Sequence, residues 1–111
     1  LSVGLFVIPP RTIDETNPLG RLRRALREEK QVWLGYRDKS GAASERTVYP
    51  VALGYFEGYQ TLVAWCTLRH DFRSFRIDGI TGLEVLETAL PEPRRTLFHR
   101  WSSALDLPDL T

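Results

Sequence analysis

Residues 62–80 read LVAWCTLRHDFRSFRIDGI, and this stretch decides the fold class. It opens as an apolar run, crosses a short polar turn and returns as a second strand, the signature of an antiparallel pair. Arg69, Arg73 and Arg76 fall within eight positions, interleaved with Trp65, Phe72 and Phe75. A guanidinium forks onto phosphate or carboxylate and stacks on rings, so this composition suits a planar anion. It suits a strand pair with a solvated charged face equally well. On strict alternation Arg73, Phe75 and Ile77 share one side, and Ser74, Arg76 and Asp78 the other. One arginine then projects from the apolar side, where it must be paired or must line a concave site. The competing reading is a structural ion pair with Asp71, Asp78 or Glu87. Arg46, alternating with Val48, raises the same question.

Outward from this hairpin the strand signals continue. Residues 31–37 place Val32, Leu34 and Tyr36 on one face and Trp33 on the other. Asp38, Lys39, Ser40 and Gly41 form a turn, and residues 45–49 return as the second strand. Pro50 cannot donate to a ladder, which predicts a bend or an edge and a separate third strand over 51–56. After a tight connection at Glu57, Gly58 and Tyr59, strands are predicted over 61–66, 73–78 and 83–87. Short strands at this spacing predict an antiparallel sheet curled into a small β-barrel. Tyr36, Tyr49 and Trp65 are either core rings or a stacking platform.

Helices flank the sheet. Asn17 followed by Pro18 is a helix start, and Leu19, Leu22 and Leu26 recur at helical spacing opposite a face of arginines, glutamates and Lys30. That charged face is either solvated or a contact for nucleic acid or membrane. A last helix capped by Thr96 aligns Leu97, Trp101 and Leu105, and must pack on the barrel or on a partner chain. The expected organisation is a linker or short strand over 1–16, a β-barrel with its N-terminal helix over 17–90, and a helical extension over 91–111.

Composition excludes several function classes. The 111 residues fit one compact domain, and the net charge of +1 means any positive field must be local. No run approaches the ~18 apolar residues of a membrane span. The single Cys66 excludes an internal disulfide and fits a reducing compartment. With no methionine, the chain reads as a fragment whose natural start lies upstream. No Gly-rich phosphate loop is present. Cys66 with His70 is the only local pairing for nucleophilic or metal chemistry, and a thiol ending an apolar strand is more often inert. No enzyme activity, cofactor or metal is expected.

From Leu22 to Leu86 the chain resembles the WYL domain. The matching pieces are VWLGYRDKSGAASERTVYP after the first helix and LVAWCTLRHDFRSFRIDGI after it. The family's Trp-Tyr-Leu appears as Gln60-Thr61-Leu62, and Gly79 stands where the family often has arginine. The resemblance implies a mainly β domain with flanking helices, an Sm-like, SH3-type small antiparallel barrel. It implies a cytoplasmic, dimeric bacterial transcriptional regulator, of which this is the C-terminal effector part, with a DNA-binding helix-turn-helix domain upstream. It further implies sensing of single-stranded nucleic acid or a nucleotide-like ligand through a basic, aromatic pocket. Carried over by position, the pocket residues are Tyr36, Arg46, Arg69, Arg73 and Arg76, with Trp65 or His70 nearby. The alternative is a dimerisation or protein-interaction module whose arginines are structural, with residues 1–8 and the last helix at its interface.

Overall fold

A computed structural model describes residues 17–104. The elements run α1 (Pro18–Glu28), β1 (Lys30–Arg37), β2 (Ala43–Phe56), β3 (Tyr59–Cys66), β4 (Asp71–Arg76), a 3-10 turn (Ile77–Gly79), β5 (Ile80–Ala89) and α2 (Arg94–Ala104). Helix α1 starts as its sequence dictates: the Asn17 side chain accepts the Leu19 N–H at 2.8 Å, and Pro18 occupies the first turn, where a missing donor costs nothing. It ends at Glu29, which adopts a left-handed conformation (φ 56°) usually left to glycine. Glu29 is held there from outside the helix. Its carbonyl accepts the Leu90 N–H at 2.9 Å, and its carboxylate accepts the Arg94 N–H at 3.0 Å. The cap of α1 therefore also anchors the start of α2.

The five strands form one antiparallel sheet in the order β4-β3-β2-β1-β5. Its two edge strands are consecutive in the chain and joined only by the 3-10 turn, so the sheet must curl to bring them together. No ladder joins β4 to β5 among the described strand pairs; the curled sheet is open there, and the expected closed barrel is not formed by hydrogen bonds. Pro50 does not break the second strand. Residues expected as two strands are one 14-residue β2, and the proline is accommodated by a register shift between Pro50 and Ala52. The β2–β3 connection is a two-residue turn at Glu57 and Gly58, both with positive φ (55° and 85°), the geometry that matches strand twist.

That shift in β2 divides the apolar side chains between two cores. Val32, Leu34, Val48, Leu62, Ala64, Phe75 and Leu83 pack inside the curl under Leu22 and Ala25 of α1. Val51 and Val63 point outward and are covered by Leu97 of α2, with Tyr49, Phe72 and Trp101 around them. Residues 1–8, expected as a strand or linker, and Leu105 lie outside the described residues.

Candidate ligand-binding site

The site sits where the inner stripe of the sheet changes from apolar to basic. Along β1 the inner positions are Val32, Leu34 and Tyr36. Along β2 the same parity runs from Val48 to Arg46 and Ser44; along β4 it runs from Phe75 to Arg73. The register aligns Leu34 with Arg46, Tyr36 with Ser44, and Ala64 with Arg73. Side chains of alternate residues share a face, so this end of the curl collects one tyrosine and two arginines beside Phe75. The third arginine, Arg69, comes from the β3–β4 turn. That turn is held by the His70 N–H donating to the Cys66 carbonyl at 2.8 Å, with His70 in the left-handed region (φ 55°).

Tyr36, Asp38, Ser44, Arg46, Arg69, Arg73, Ser74 and Phe75 line a concavity of about 200 Å³. Its floor is aromatic: Phe75 is 3% exposed, and Tyr36 meets it edge-on with ring centroids 5.2 Å apart. The Arg46 guanidinium lies 5.7 Å above the Phe75 ring, donates to the Ser44 hydroxyl at 2.9 Å and reaches the Cys66 sulfur at 3.6 Å. Its Nε is buried without a hydrogen-bond partner. None of Arg46, Arg69 and Arg73 forms an ion pair among the described residues. The one acid in the lining, Asp38, is committed to its own turn. Its Oδ1 accepts from the Ser40 hydroxyl (2.6 Å), the Ser40 N–H (2.9 Å) and the Ala42 N–H (3.0 Å). The Ser40 hydroxyl first, then the Ala42 N–H, hold the Asp38 carboxyl below its ordinary range.

A second concavity of about 220 Å³ shares Tyr36 and Asp38 with the first and adds Arg37, Lys39, Arg76, Asp78 and Gly79. Here Arg76 is paired, and Lys39 has no ion-pair partner among the described residues. Arg76 donates to Asp78 through Nε (3.1 Å) and Nη2 (2.7 Å), with its guanidinium 3.5 Å over the Tyr59 ring. The hydrogen bond to Asp78 raises the Arg76 pKa, and the same bond lowers that of Asp78. Arg37 donates to the Gly41 carbonyl at 2.7 Å. For Arg76 the ion-pair reading of the sequence is thus the one realised.

The sequence-derived residues therefore separate. Tyr36, Arg46, Arg69 and Arg73 meet in one concavity, and Arg76 lines its neighbour. Trp65 pairs with Tyr49 and Phe72 on the outer side of the sheet, its ring 5.0 Å from that of Phe72, and lines neither. His70 is an exposed turn residue and lines neither. Cys66, the one thiol, is fully buried beside Arg46, and no group of three or more metal-ligating side chains occurs among the described residues. Sequence reasoning had not singled out Ser44, Ser74 or Phe75 as lining residues, although the alternation Arg73/Phe75 already placed the ring under the arginine.

Gln60 and Thr61, standing in the family's Trp-Tyr positions, lie on β3 beside the β2–β3 turn and do not line the first concavity; Thr61 pairs across the sheet with Arg76, is buried and donates to the Tyr59 carbonyl at 2.9 Å.

The sequence model of the WYL domain matches residues 18–85. Among solved structures, the chain is similar to proteasome accessory factor B/C (PafBC) of Arthrobacter aurescens, with a TM-score of 0.61 and 27% identity. The similarity covers 66% of this chain and 12% of that one. No curated protein matches. The described fold and the match over most of the described residues agree: this chain belongs to the WYL domain family.

Proposed function

We propose that this domain is the ligand-sensing effector part of a transcriptional regulator, and that it binds single-stranded nucleic acid or a nucleotide-like anion in the Tyr36–Arg46–Arg69–Arg73 concavity. The observation that carries the reading is the convergence of three arginines with no carboxylate partner among the described residues. An anion seated among them meets three guanidinium groups that no carboxylate already occupies. The aromatic floor and the phenol of Tyr36 add surfaces that a base or sugar can meet. The regulator setting rests on membership of the WYL family and includes an upstream DNA-binding domain, a cytoplasmic location and a small-barrel architecture for the curled sheet. Sensing requires that the ligand favour one arrangement of the whole regulator over another.

The test is fluorescence anisotropy of a labelled single-stranded oligonucleotide at several salt concentrations. The expected logarithmic salt slope falls by about 0.7 for each phosphate contact removed, as in Arg73→Ala. Absence of binding, or an unchanged slope in folded variants, rejects the reading.

A second reading, an interaction module, draws on α2, where Phe98 stays 44% exposed beside Trp101. Light scattering over a concentration series tests it: self-association lost in Phe98→Asp supports it, and a monomer throughout rejects it.

A further inference from the structure

Charge and size in the first concavity narrow the ligand group. Resting on the ligand-binding reading above, we propose that this concavity is built for a terminal phosphomonoester, the phosphorylated end of an oligonucleotide or a mononucleotide, rather than for an internal phosphodiester. Arg46, Arg69 and Arg73 face one space against a single carboxylate, Asp38, whose Oδ1 already accepts three hydrogen bonds. A phosphodiester brings one charge and two free oxygens. A phosphomonoester brings nearly two charges at neutral pH and three strong acceptor oxygens, which matches three guanidinium forks.

About 200 Å³ is below the roughly 300–1,000 Å³ of pockets that enclose a whole small molecule. The space fits a compact charged group with the remainder of the ligand outside it. The adjoining concavity, across Tyr36, holds less free charge: its Arg76 is neutralised by Asp78 and its Arg37 donates to the Gly41 carbonyl, which leaves Lys39 beside the Tyr36 ring. One lysine there, against three guanidinium groups in the first concavity, makes the basic site the stronger seat for a doubly charged end group.

The experiment uses the 111-residue chain and one oligonucleotide sequence in three forms: 5′-phosphorylated, 3′-phosphorylated and hydroxyl at both ends. Inorganic phosphate and a nucleoside monophosphate serve as competitors. One or both phosphorylated forms should bind about tenfold more tightly than the hydroxyl-ended form, since the extra charge-assisted hydrogen bonds are the strong ones. That advantage should shrink between pH 7.5 and 5.5 as the phosphomonoester takes up its second proton near pH ~6, and should vanish in Arg73→Gln. Competition by the monophosphate but not by inorganic phosphate assigns the site to a nucleotide end; competition by both assigns it to the phosphoryl group alone. Equal binding of all three forms overturns the proposal and leaves the nucleic-acid reading standing. Binding of none overturns both.

Discussion

The Tyr36 hydroxyl accepts the backbone N–H of Arg76 at 3.0 Å, joining β1 to the end of β4, from which β2 and β3 separate it in the sheet. The bond crosses the inside of the curl where no ladder closes it. It fixes the wall between the two concavities and makes that wall part of the fold. Tyr36→Phe leaves the Arg76 N–H without this acceptor in a part-buried position. The expected cost is about 1–2 kcal/mol, read as a lower urea midpoint with an unchanged slope. A slope that changes as well would mean that the open side of the sheet had come apart.

Gly79 is required by space, not by backbone conformation. A Cβ there would lie 2.8 Å from the Arg37 carbonyl oxygen and 2.8 Å from Cε1 of Tyr36. The carbonyl belongs to backbone and cannot step aside, so the Tyr36 ring or the 3-10 turn must move. Gly79→Ala should cost about 1–3 kcal/mol, the usual penalty of overpacking, and should also weaken ligand binding because the ring lines both concavities. Calorimetry of stability and affinity on the same variant checks the coupling. Loss of one without the other would separate Gly79 from the site.

Leu97 holds α2 to the sheet. It is 2% exposed and packs on Val51 and Val63, while the Arg94 guanidinium donates to the Val51 carbonyl at 3.0 Å. Leu97→Ala should cost about 2–4 kcal/mol and expose Trp101, seen as a red shift of tryptophan emission. Ligand affinity should hardly change, since the arginines lie on the other face of the sheet.

Acid should destabilise the site loops first. Asp38, through Ser40 and Ala42, and Asp78, through Arg76, both titrate below the ordinary value of 3.8 in the folded chain. The unfolded chain therefore binds protons first as pH falls. Each carboxylate's contribution is complete well above pH 3.8 and is lost as pH drops through its depressed folded value. Urea midpoints should be flat with respect to these groups from pH 7 to 5 and fall below about pH 4, with a shallower acid limb in Asp38→Asn and in Asp78→Asn. An acid limb identical in the variants would show that neither hydrogen-bonded carboxylate matters.

Much of this was legible in local chemistry. Asn17-Pro18 set the helix start, and the alternation in β1 and β4 set the inner face, whereas β3 is apolar on both sides. The convergence of Tyr36, Arg46, Arg69 and Arg73 was reached through the WYL resemblance, because register between distant strands is not written in any one of them. Pro50 misled because a register shift lets one strand carry a proline and change its facing. Trp65 misled because one step of parity decides between the basic concavity and the α2-covered face. Arg76 and Asp78, two residues apart, formed the ion pair that alternation had left open.

The central claim is that one end of the inner sheet face receives an anionic nucleotide group. Its most direct test is a backbone amide NMR titration of the 111-residue chain with a 5′-phosphorylated oligonucleotide. The account expects shift changes gathered at Tyr36, Ser44, Arg46 and Arg69 through Phe75, absent around Val63, Leu97 and Trp101, and abolished in Arg46→Gln/Arg73→Gln. Shifts centred on the α2-covered face, or none at saturating ligand, would contradict it.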